Sequence, residues 1–92
     1  MIHFIVHNKS DHVGVAVQDL KRGEKLEGWC MEDDSTLAAT ANVDIPLGHK
    51  IALNARKKGE QVLKYGVSIG LASQDIATGD HVHTHNLKTA RW

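Results

Sequence analysis

Near the end of the 92-residue chain, His81-Val82-His83-Thr84-His85-Asn86 sets an imidazole at every second position. If Asp80–Asn86 is a strand, His81, His83 and His85 share one face, and Val82 and Thr84 share the other. Same-face neighbours are then about 6.7 Å apart at Cα, a spacing from which imidazoles can converge on one ion. A three-ligand protein site usually takes its third donor from another strand or from a partner. The three histidines are therefore candidates for a metal or active-site seam. A polar strand face at a subunit contact, or plain solvent exposure, are the alternatives.

His49, in Gly48-His49-Lys50, has the same ambiguity and is a candidate substrate contact. Lys64 and Tyr65 form a second candidate pair, because a lysine ammonium is a suitable point charge for a carboxylate or sulfonate. The plainer reading of that pair is a strand-end lysine and a partly buried tyrosine. The single cysteine, Cys30, sits in Gly-Trp-Cys-Met-Glu-Asp-Asp with no histidine close in sequence. No glycine-rich phosphate loop and no nucleophile motif accompany these residues, so no catalytic residue is assigned. Trp92, with Arg91 beside it, is a candidate for docking into a partner, since tryptophan is enriched at binding hot spots.

The elements that must position these residues are read from period-2 alternation. Ile2–His7, His12–Asp19, Lys50–Ala55, Gln61–Tyr65, Val67–Gln74 and Asp80–Asn86 are the expected strands. In the second, Val13, Val15 and Val17 are expected on one face and Gly14 and Ala16 on the other. Glu32–Ala41 is ambiguous, because its alanines suit a helical turn and its threonines a strand. No amphipathic helix of three turns is apparent. One pattern recurs four times, in Asp19–Leu26, Asp44–Ile51, Ala55–Val62 and Asp75–Val82. Each copy puts a glycine four residues after Asp or Ala and an apolar residue three further on. This reads as a reversal: Asp bonds its own backbone, Gly takes a positive φ, and the apolar residue re-enters the core. The uneven spacing of Gly23, Gly48, Gly59 and Gly79 argues against a solenoid and for one compact β domain. Gly66 is expected in a tight hairpin, and Gly70 at a bulge or close backbone approach.

Composition narrows the function. Lys plus Arg and Asp plus Glu are each 11, giving zero formal net charge. That removes the usual electrostatic case for nucleic acid or an anionic membrane as the main partner, and it favours self-association or a stable protein partner. With 4% aromatic residues, the core must be aliphatic. One cysteine allows no internal disulfide, which fits a cytoplasmic protein. The N-terminal apolar stretch is short and broken by His3 and His7, so neither a signal peptide nor a membrane span of roughly 20 apolar residues is expected.

Asp44-Ile-Pro-Leu-Gly-His-Lys-Ile-Ala-Leu53, Gln61-Val-Leu-Lys-Tyr-Gly-Val-Ser-Ile-Gly70 and Asp75-Ile-Ala-Thr-Gly-Asp-His-Val-His-Thr-His-Asn-Leu87, in this order, resemble the SAF domain of the altronate and galactarate dehydratase family. The similarity begins at Phe4 and covers nearly the whole chain. The resemblance implies an all-β, β-clip fold over residues 1–86, followed by a C-terminal tail at 87–92. In the family's sugar-acid dehydratases the SAF segment usually opens a longer chain that carries the catalytic domain. The present chain looks like the form in which SAF is a separate small subunit, although an excised domain is the alternative. The implied activity is β-elimination from a small 2-hydroxy acid, with sulfite or water leaving. The implied partner is a large dehydratase-like catalytic subunit holding most of the ligands of a divalent metal, Fe²⁺ by family habit. A free-standing metal- or ligand-binding module is the competing expectation from another class.

Overall fold

The computed structural model describes residues 1–89. Among these residues there are nine strands and no helix, so the all-β expectation holds. The strands are Phe4–Val6 (β1), Val13–Ala16 (β2), Lys25–Cys30 (β3), Ser35–Thr40 (β4), Lys50–Ala52 (β5), Gln61–Lys64 (β6), Val67–Ala72 (β7), His81–Val82 (β8) and Leu87–Lys88 (β9). One sheet has the order β4-β3-β1-β2-β5-β8, and a second has the order β6-β7-β9. Only β1 with β3 is parallel; the other pairs are antiparallel.

Three sequence expectations are corrected. First, Asp80–Asn86 is not one strand: β8 stops at Val82 and the chain turns through His83–Asn86. Second, the strand expected over His12–Asp19 is shorter, with β2 spanning Val13–Ala16. Val13, Gly14 and Ala16 are all buried, because this short strand is covered on both sides. Third, β3 is absent from the strands read by alternation. Its inward positions are Leu26, Gly28 and Cys30, and the glycine hides the period. That glycine is required by packing. Phe4, on β1, lies across from Gly28, and a Cβ at position 28 would collide with its ring. The ambiguous stretch after Glu32 resolves as β4, paired along its full length with β3.

The four recurrent segments are the framework. Gly23, Gly48, Gly59 and Gly79 have φ of 82°, 85°, 91° and 91°, the left-handed region that glycine tolerates best. Each corner is locked to another by a reciprocal exchange. Gly23 N–H donates to Ala41 O at 2.8 Å while Gly48 N–H donates to Ala16 O at 2.8 Å. The second pair repeats this, with Gly59 bound to Ala72 O and Gly79 to Ala52 O, both at 2.8 Å. Bridges Leu20–Ile45 and Arg56–Ile76 tie the same two pairs. The side-chain oxygens of Asp19, Asp44 and Asp75 each accept an N–H from the opposite corner, at Leu47, Arg22 and Lys58. The core follows this duplication. One apolar cluster gathers Phe4, Val6, Ala16, Leu20, Leu26, Cys30, Ala41, Ile45 and Ile51. The other gathers Val13, Ala52, Val62, Ala72, Ile76 and Val82.

Gly66 lies in the β6–β7 hairpin as expected. Gly70 faces the backbone of Lys88, which leaves no room for a Cβ. A register shift interrupts β6 at Val62/Leu63, across from that glycine. The β7 pairing extends past Asn86 to Leu87 and Lys88.

Candidate functional site

The register between β5 and β8 assembles the histidines. Lys50 pairs with Val82 and Ile51 with His81, so one step further sets His49 across from His83. Cross-strand partners and their i, i+2 neighbours share a face, which brings His49, His81 and His83 together. The ring centroids of His49 and His83 are 4.5 Å apart, and those of His49 and His81 are 5.0 Å apart. His49 Nδ1 and His81 Nε2 lie 2.9 Å from each other and share a hydrogen bond. One nitrogen from each of the three rings falls within 4.8 Å of the others. His81 and His83 are stacked with centroids 5.4 Å apart. His85 is also 5.4 Å from His81, but tilted at 47°, and it is outside the three-ring group.

Asn86 builds the turn that carries His83. It is buried at 3% exposure. Its Oδ1 accepts the His83 N–H at 2.9 Å, and its Nδ2 donates to His81 O at 2.8 Å. The backbone N–H groups of Asn86 and Leu87 both donate to His83 O. His81 is therefore strand-borne, while His83 and His85 are turn-borne and exposed. Burial lowers the pKa of His81, and the charges of His49, His85 and His83 lower it further. Both causes favour the neutral ring. His81 and His85 also border a cleft with Asp44, Asp75 and Asp80.

Lys64 and Tyr65 lie against each other and with His7, apart from the three-imidazole group that holds His49. The His7 and Tyr65 rings stack at 3.7 Å with 16° between planes, and Lys64 Nζ lies 4.5 Å from the Tyr65 ring centroid. Tyr65 is 56% exposed and not partly buried. Burial, then the charge of Lys50, lowers the Lys64 pKa; Asp11 opposes them. Tyr65 and Gly66 both have positive φ, 56° and 72°, as a two-residue type I′ hairpin requires. A tyrosine there is strained, and a buried carboxylate supports it: Asp11, 2% exposed, accepts the N–H groups of Tyr65 and Gly66. In the sequence Asp11 falls between two expected strands and His7 ends the first of them, and neither is marked as a site. An acidic residue inside a polar turn gives no sign of being buried.

Cys30 is buried in the core. Arg91 and Trp92, the expected docking residues, lie outside the described residues. Among the described residues no helix is long and apolar enough to cross a membrane.

The altronate/galactarate dehydratase SAF domain family matches residues 2–90, and the chain belongs to that family. Among individual proteins, it is 46% identical over 92 residues to the (2R)-sulfolactate sulfo-lyase subunit alpha of Chromohalobacter salexigens, covering 99% of this chain and 98% of that one. It is 53% identical over 60 residues to the same-named subunit of Paracoccus pantotrophus, covering 65% of this chain and 90% of that one. It is also 42% identical over 89 residues to the altronate dehydratase of Bacillus subtilis; the match takes 97% of this chain but 17% of the dehydratase.

Proposed function

We propose that this chain is the small SAF subunit of a two-subunit lyase of the (2R)-sulfolactate sulfo-lyase kind. In this reading it acts with a large dehydratase-type subunit in the cytoplasm, and sulfite is eliminated from a 2-hydroxy acid to leave pyruvate. The observation that carries the reading is coverage: the match to a separately named alpha subunit runs over 99% of one chain and 98% of the other. The match to the Bacillus dehydratase takes 17% of that protein.

The chain's residues suit a supporting role at the seam. The imidazoles of His49, His81 and His83 form a polar, partly buried face, while Lys64 offers a cation for the carboxylate or sulfonate of the substrate. Tyr65 holds that ammonium by its ring and limits its motion. Arg91 and Trp92 are assigned to the contact with the large subunit. A divalent metal, Fe²⁺ by family resemblance, would be held mostly by the large subunit and would supply Lewis acidity there.

The test is reconstitution. This chain alone and the large subunit alone are expected to release no sulfite from (2R)-sulfolactate, and the mixture is expected to turn over. Sulfite release by this chain alone would overturn the reading. Dehydration of altronate by the mixture, with no action on sulfolactate, would replace it with the sugar-acid dehydratase reading that the Bacillus relative favours.

A further inference from the structure

We infer that His49, His81 and His83 form a divalent transition-metal site that belongs to this chain itself. This goes beyond the lyase reading, which places the metal on the large subunit, and it does not depend on it. Convergence is the first observation. Three donors from two separate segments, 32 residues apart in sequence, bring one nitrogen each within 4.8 Å. Bonds of about 2.0–2.1 Å to a tetrahedral ion set ligand nitrogens about 3.3 Å apart. The His49 and His81 nitrogens, at 2.9 Å, already stand near that spacing. His83 is exposed on a turn, so a change of its side-chain torsions suffices to close the set.

Preorganisation is the second. His81 is fixed by the β5–β8 ladder, and the backbone of His83 is fixed by the buried Asn86 side chain. The close His49–His81 contact needs one ring to donate its only N–H to the other ring. An ion accepting both lone pairs satisfies the same two atoms without that constraint.

Donor chemistry sets the class of ion. An all-imidazole set selects Zn²⁺, Co²⁺ or Fe²⁺ over Ca²⁺ and Mg²⁺, which prefer oxygen. Three protein ligands leave a position open, the pattern of a reactive rather than a closed structural site. The carboxylates of Asp44, Asp75 and Asp80 border the adjoining cleft and attract a cation towards it. His85, which alternation alone would include, is not a ligand in this arrangement.

Isothermal titration of the isolated full chain with Zn²⁺, and visible absorption on adding Co²⁺, test the site. One equivalent is expected to bind at micromolar concentration or tighter, with no competition from millimolar Mg²⁺. His49→Gln and His83→Gln are each expected to weaken binding at least about tenfold, and His85→Gln to change it less than about threefold. Circular dichroism identifies any variant that fails to fold; His83 is exposed, so its substitution keeps the fold. No binding at 100-fold the micromolar range by folded protein would overturn the inference. So would equal losses in His85→Gln and His83→Gln. Neither outcome bears on the lyase assay, which needs the second subunit.

Discussion

The Asp11 carboxylate accepts the backbone N–H of Tyr65 at 3.0 Å and holds that residue at φ 56°, a conformation seldom taken by an aromatic side chain. The same carboxylate accepts from Asn8 N at 3.1 Å and Gly66 N at 2.9 Å. Two loops far apart in sequence are joined by one buried group, and the His7–Tyr65 stack lies over the join.

Asp11→Ala leaves three N–H groups without their acceptor. A loss of at least about 3 kcal/mol is expected, measured by urea denaturation. Asp11→Asn keeps one acceptor oxygen and should lose about half as much. Equal stability of the Ala variant and the parent would show that water replaces the carboxylate.

Acidification is expected to destabilise the protein through His12. Its Nδ1 accepts the Leu63 N–H at 3.0 Å, so the neutral ring is the one that fits. Burial lowers its pKa from 6.5, Arg56 adds to this, and Asp11 and Glu60 oppose it. With the folded pKa below the unfolded one, the contribution is complete above 6.5 and is lost as pH falls through the folded value. His7 shifts in the same direction, from burial and then Lys64. Denaturation midpoints between pH 5 and 7.5 should fall with pH. His12→Asn, which keeps an acceptor that does not titrate there, should fall less steeply.

Ala55 is the exception among the four corners. By the equivalence of the repeats, an aspartate there would face the N–H of Thr78, as Asp19, Asp44 and Asp75 face Leu47, Arg22 and Lys58. Ala55→Asp is expected to raise stability by about 0.5–1 kcal/mol, and Asp44→Ala to lower it by about 1 kcal/mol, read from thermal melts. An unchanged or lower melting temperature for Ala55→Asp would mean that the fourth corner is not equivalent.

Gly28→Ala forces a methyl group into the ring of Phe4, which is fully buried on β1. A cost of about 2–3 kcal/mol is expected, and Phe4→Leu in the same chain should recover part of it. Additive losses in the double variant, measured by chemical denaturation, would rule out the clash as the cause.

Much of the fold was legible because its signals are local. Alternation marks Phe4–Val6 and Val67–Ala72, and the four glycines mark the corners, each with an apolar residue three positions on that is buried: Leu26, Ile51, Val62 and Val82. The site was legible only in part. Imidazoles at 81 and 83 are visible as a pair in any reading, but His49 joins them only through the β5–β8 register, which is a long-range choice. His85 looked equivalent because alternation assumes that the strand continues, whereas Asn86 turns the chain away. Likewise Asp11 reads as a polar loop residue until the hairpin from 55 residues away closes on it.

The reciprocal corners have a dynamic consequence. Neither member of a pair can release its glycine amide while the other stays closed without breaking the exchange between them. Amide hydrogen exchange at Gly23 and Gly48 should therefore share one opening free energy, and Gly59 and Gly79 should share another. The chain then breathes as two halves, each clasped once, and the His49–His83 face is positioned where strand β5 leaves the first half and β8 closes the second.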